Sequence, residues 1–96
     1  MSGFVYILYS KELDKYYIGS TKDFDQRIKY HREKEFKSSY TTQTDDWILY
    51  HLIETENIFV ARKIENHIKR MKSREYIENL KKYPKITQKL IKRYSK

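Results

Sequence analysis

Apolar positions along this chain change period from two to about three and a half, and the change marks where strands give way to helices. Val5-Tyr6-Ile7-Leu8-Tyr9 and Tyr16-Tyr17-Ile18 are short runs of aromatic and β-branched residues. The polar stretch Ser10-Lys11-Glu12-Leu13-Asp14-Lys15 parts them, and runs arranged in this way predict a β-hairpin. No Asn-Gly or Asp-Gly pair lies between them, so a loop longer than the tightest hairpin turn is expected. An even-numbered loop pairs Leu8 with Tyr17 and sends Tyr6 and Tyr17 to one face of the sheet. An odd-numbered loop separates them, and the sequence leaves that register open. Trp47-Ile48-Leu49-Tyr50-His51-Leu52-Ile53 is the strongest strand signal. Its nearly unbroken apolar content predicts the central strand, covered on both faces.

Helical spacing appears in four places. Asp23 is a good N-cap with Gln26 in the capping-box position, so a helix is expected to follow the hairpin directly. Phe24 and Ile28 then pack inward, and Arg27 and His31 share a face one turn apart. Asn57 caps a helix from Ile58 to about Met71, with Ala61, Ile64, Ile68 and Met71 as its apolar stripe. Ser73 caps a third helix bearing Tyr76, Ile77 and Leu80 on one side, and Tyr83-Pro84 ends it. Pro84 suits the first turn of a last helix with Ile86, Leu90, Ile91 and Tyr94 on its apolar side. Lys37 to Asp46 is polar and aperiodic, a long loop whose hydroxyls and Tyr40 are available to a ligand. The elements predict a single α/β (α+β) domain over residues 1–96. Its core is a three-stranded, mostly antiparallel sheet flanked by helices, in the order β-β-α-β-α, with a C-terminal helical extension from about residue 73.

Composition narrows the chemistry. There is no Cys, which removes disulfides, thiolate catalysis and Cys-based zinc sites. No apolar run approaches the roughly 20 residues that span a bilayer, and Met1-Ser2-Gly3 leads into the first strand without a signal-like segment, so a cytoplasmic protein with no membrane partner is expected. A net charge of +8 favours a polyanionic partner, nucleic acid first. The hairpin and the helix after it gather two phenols, a guanidinium and an imidazole: Tyr6, Tyr17, Arg27 and His31. On spacing alone Glu65 reads as an i, i+4 partner of Lys69 at the border of the second helix's apolar stripe.

These residues resemble the signature of the GIY-YIG nuclease superfamily. Phe4-Val5-Tyr6 stands for the first tripeptide, with Phe4 replacing its Gly, and Tyr17-Ile18-Gly19 is the second tripeptide intact. Arg27 falls ten residues after Tyr17, where the family has its Arg, and His31 matches a position that is His or Tyr in many members. Some members carry a Lys three residues after the second Tyr; here Ser20 is in that place, with Lys22 nearby. Ala61-Arg62-Lys63-Ile64-Glu65 fits the helix on which the family places the Glu that ligates its metal. The resemblance covers roughly residues 3–72 and looks like the small stand-alone members.

The resemblance implies a divalent-metal-dependent endonuclease that hydrolyses DNA phosphodiesters, similar to the incision nuclease of nucleotide excision repair. It implies Mg²⁺ (or Mn²⁺) on Glu65, with Tyr6, Tyr17, Arg27, His31 and Glu65 as the catalytic set and Gly19 as a structural motif residue. Lys22, Tyr40, Lys69, Arg70 and Lys72 are the DNA-binding candidates, and branched, nicked or damaged DNA acted on by a monomer is the expected substrate. The alternative is a nucleic-acid-binding module on the same fold that does not cut.

Overall fold

The computed structural model describes residues 2–25 and 46–95. Three strands, β1 (Gly3–Ser10), β2 (Lys15–Thr21) and β3 (Ile48–Thr55), form one antiparallel sheet in the order β2-β1-β3. Three helices follow, α1 (Ile58–Met71), α2 (Arg74–Lys82) and α3 (Pro84–Tyr94). The hairpin turn is the four residues Lys11–Asp14, an even number, and Leu8 does pair with Tyr17. Tyr6, Leu8, Tyr17 and Gly19 therefore share one face, and Val5, Ile7, Ile18 and Ser20 share the other. Asp14 closes the turn at φ 51°, a left-handed conformation that Asp tolerates. Its carboxylate accepts from Tyr9 Oη at 2.6 Å and from both Arg74 guanidinium nitrogens at 2.7 and 3.1 Å. That fork ties the hairpin to the start of α2.

The centre of the sheet is not where the apolar run suggested. β1 is the middle strand, paired on both sides, with Val5, Tyr6, Ile7 and Leu8 all buried. β3 is an edge strand that leaves Ile48, Leu49 and Leu52 partly in solvent. Its apolar content reflects two separate duties. Ile53 faces the helices, and Trp47, just before the strand, is buried against Tyr6 and Leu8. A β-bulge between Ile7 and Leu8 shifts the β1–β3 register there, which breaks the simple alternation along β3.

The helical side forms the larger core. Asn57 Oδ1 accepts from Val60 N at 2.9 Å, so α1 starts as its cap residue predicts. Ala61, Ile64 and Ile68 are buried on Val5, Ile7 and Ile53, whereas Met71, at the C-terminal end of the stripe, is exposed. Gly3 lets α1 begin so close to β1: a Cβ on it would overlap the Asn57 carbonyl. Ser73 Oγ caps α2 through Tyr76 N at 3.1 Å, and Pro84 occupies the first turn of α3. Ile77, Leu80 and Leu90 close the core. Phe24 and Asp25 are helical, as Asp23 foretells; Gln26, Arg27, Ile28 and His31 lie outside the described residues.

Two histidines tie α1, α3 and β3 together. His67 Nδ1 and Tyr94 Oη are 2.9 Å apart, and His51 Nε2 and Thr87 Oγ1 are 3.2 Å apart. Burial lowers both imidazole pKa values, helped by Arg93 and Arg70 at His67 and by Lys81 at His51. A depressed folded-state value means that the unfolded chain takes up the proton first as pH falls. Stability is therefore expected to be constant above pH 7 and to drop as pH falls below about 6.5, the ordinary imidazole value. Thermal melts between pH 7.5 and 5 check this, and His67→Gln with His51→Gln should flatten the profile.

Candidate active site

The two motif tyrosines meet on the sheet face that carries the smaller core. Tyr6 sits opposite Gly19 in the β1–β2 ladder, and its ring lies across that glycine. A Cβ on Gly19 would overlap the Tyr6 phenol oxygen and Cζ, so only glycine leaves room for the hydroxyl above the edge strand. Tyr17 stacks at 6.3 Å between ring centroids and 29° between planes. Phe24 at 6.2 Å and Trp47, buried in the same cluster, complete the walls around the phenol. Tyr6 is 2% exposed, so its ring is held by packing and its rotamer is fixed.

Glu65 arrives from the other face. It borders the buried stripe of α1, and α1 packs on the β2 side of the sheet. Ser20 Oγ donates to Glu65 Oε1 at 2.5 Å. Lys69 Nζ pairs with Oε2 at 2.6 Å, one helical turn on. The phenol of Tyr6 over Gly19 and the carboxylate of Glu65 on Ser20 thus reach the β2 edge at adjacent residues, from opposite faces. Tyr16, Tyr17, Ile18 and Lys69 line a groove of about 270 Å³ along that edge. Tyr16 is the structural member of the pair of adjacent tyrosines. Its ring packs edge-on to Tyr50 at 5.1 Å and under the Arg74 guanidinium at 5.3 Å. Burial, then Tyr50 and Glu78, push its pKa well above the usual phenol range, which keeps it a neutral wall.

The remaining sequence candidates divide in three. Lys22 is exposed just past β2, beside Phe4, Asp23 and Phe24. Arg70 and Lys72 are exposed at the C-terminal end of α1, where Lys72 adopts the left-handed cap conformation at φ 48°. Arg27, His31 and Tyr40 lie outside the described residues. For a metal, Glu65 offers a single half-buried carboxylate near the groove that Lys69 lines, and among the described residues no three His, Cys, Asp or Glu side chains gather at Glu65 or at any other place. A single hard oxygen ligand suits Mg²⁺, which keeps most of its waters and takes one or two carboxylates.

The model of the GIY-YIG catalytic domain matches residues 2–83, from before β1 to the end of α2. The chain belongs to the GIY-YIG family. This is a nuclease superfamily whose members are generally endonucleases that act on DNA with a divalent metal. The solution NMR structure of a UPF0213 protein from Bacillus halodurans is similar, with a TM-score of 0.52 and 31% identity. That similarity covers 83% of this chain and 82% of the other. No curated protein matches the sequence at a significant level. The GIY-YIG match reaches past residue 72, so α2 belongs to the matched domain. The resemblance read from the two tripeptides stands, and the glycine of the second has a physical reason here: it seats the tyrosine of the first.

One site residue escaped the sequence. Ser20 looks like a substitution at a position where some family members carry a Lys, yet it holds the Glu65 carboxylate. The signal was present in the alternation, because Ser20 must face the helix side of the sheet once Leu8 pairs with Tyr17.

Proposed function

We propose that this protein is a divalent-metal-dependent endonuclease that hydrolyses DNA phosphodiesters in repair or recombination. The observation that carries the reading is that Tyr6 over Gly19 and Glu65 on Ser20 reach the β2 edge at adjacent residues, from opposite faces, with the groove of Tyr16, Tyr17, Ile18 and Lys69 along that edge. Residues 1–96 act as one nuclease domain, in which the helices from about residue 73 follow the sheet and α1. A cytoplasmic monomer is the working form; among the described residues no helix is long and apolar enough to cross a membrane.

Each residue has a task. Glu65 would hold Mg²⁺ or Mn²⁺, and the chemistry such an ion would supply is relief of charge on the phosphoryl and leaving oxygens. Tyr6 takes the proton of the attacking water. A free phenol is a poor base near neutral pH, so this role needs cationic neighbours, and the family pattern assigns that part to Arg27 and His31. Tyr17 positions the water or the phosphate. Arg27 forks onto the phosphoryl oxygens, and His31 orients Tyr6 or relays its proton. Lys22, Tyr40, Lys69, Arg70 and Lys72 contact the DNA backbone. With +8 net charge, that contact is expected to be strong and salt-sensitive.

The test is a cleavage panel of nicked, flapped, branched and single-stranded DNA with Mg²⁺ or Mn²⁺. A chain that binds DNA but never cuts any substrate with either ion is a binding module instead. Arg27→Lys sharpens the result. It keeps the charge but loses the planar fork, so cleavage should fall on the order of 10²–10³ while binding changes little. Parental cleavage by that variant would return Arg27 to the protein surface as an ordinary charge.

A further inference from the structure

Both oxygens of the candidate metal ligand already have partners, and the two partners differ in kind. Ser20 sits on a paired strand and donates to Oε1 from a fixed backbone. Lys69 reaches Oε2 from the end of a long flexible stem. The burial is equally uneven: the Glu65 side chain is 15% exposed and the Lys69 side chain 52%. The carboxylate is the fixed half of the ion pair and the ammonium the mobile half. Lys69 also lines the groove beside Tyr17, so leaving the carboxylate does not require it to leave the site.

We propose that Lys69 is a displaceable cation. Without metal it neutralises Glu65; when a divalent ion takes the carboxylate, repulsion drives the ammonium into the groove, where it binds a phosphate of the nucleic-acid strand. The inference rests on the nuclease reading of the site, and it adds an order of events. A divalent ion next to an ammonium at ion-pair distance is a like-charge contact, which the flexible stem relieves by rotating. The groove then holds a cation that no carboxylate neutralises. Metal and phosphate therefore help each other to bind, and the coupling is reciprocal. Ser20 keeps Glu65 aimed, because its bond is to Oε1 and the pair with Lys69 is on Oε2.

The experiment is calorimetric titration of metal-free protein with Mn²⁺ alone, with no DNA present. Lys69→Gln removes the internal competitor and should bind Mn²⁺ about threefold to tenfold tighter than the parent, the range expected for losing a partly exposed pair and a like charge. Lys69→Arg restores a competing cation and should stay within about twofold of the parent. Glu65→Gln should abolish the binding. In a second measurement, affinity for a short duplex is compared in chelator and in Ca²⁺. The parent should gain affinity on adding Ca²⁺, and Lys69→Gln should gain less. Equal or weaker Mn²⁺ binding by Lys69→Gln overturns the inference. If the parent nevertheless cuts DNA with metal, the nuclease reading survives that loss. If no chain binds Mn²⁺ and none cuts, both fall together.

Discussion

Gly19→Ala should cost about 1–3 kcal/mol of stability, the range for forcing extra atoms into a packed site. For a domain of this length each kcal/mol is roughly 4–8 °C in Tm. The added Cβ overlaps the oxygen and Cζ of the Tyr6 phenol, the end of a ring with little freedom to move. Tyr6 is buried with Leu8 and Trp47, and Phe24 and Tyr17 pack against that cluster. Alanine in a strand interior would otherwise be preferred to glycine, so a loss of stability here reports the ring and not the backbone. Cleavage should fall further than stability does, because the displaced phenol no longer lies over the β2 edge. Tyr6→Phe supplies the control: it keeps most of the packing, loses the hydroxyl, and should lose cleavage with a small change in Tm. Thermal unfolding and single-turnover cleavage on the three chains separate these effects. An unchanged Tm for Gly19→Ala would mean that the Tyr6 ring does not rest on Gly19.

The hairpin was legible as two β-rich runs about a polar loop, but its register hung on one integer that the sequence left open. Four turn residues put Leu8 opposite Tyr17, and every facing of Tyr6, Tyr17, Gly19 and Ser20 follows from that. The helices were legible through their caps, Asn57, Ser73 and Pro84, each of which satisfies or removes a backbone donor that a helix start leaves unpaired. The place of β3 was not legible. Continuous apolar content measures burial on both faces, and β3 reaches it with Ile53 inside, Trp47 buried just before the strand, and Ile48 and Leu52 left partly exposed at an edge. β1 carries an equally dense run, but two of its members are tyrosines, which read as half-buried until the ladder shows Tyr6 enclosed. The partner of Glu65 was hidden for a different reason. An i, i+4 lysine is visible in the sequence, whereas Ser20 lies 45 residues away and is brought to Glu65 only by the docking of α1 on β2.

Glu65→Gln is expected to separate cutting from holding. The substitution keeps shape and helix propensity, and an amide oxygen can still accept from Ser20, but the negative charge that holds a divalent ion is gone. Metal affinity and cleavage should fall together, cleavage by at least the order of 10²–10³ seen when one electrostatic contact is removed from an active site. DNA binding in chelator should persist or strengthen for two reasons. One negative charge facing the phosphates disappears, and Lys69, released from its 2.6 Å pair, is free to take a phosphate. Stability should change by less than about 1 kcal/mol, since the lost pair is partly exposed. The measurement is paired: single-turnover cleavage with Mg²⁺ and equilibrium binding with chelator, on parent and variant alike. Parental cleavage by Glu65→Gln would remove this residue from the site. Weakened binding in chelator would show instead that Glu65 organises the β2 edge itself, with Ser20 and Lys69 dependent on its charge for their positions.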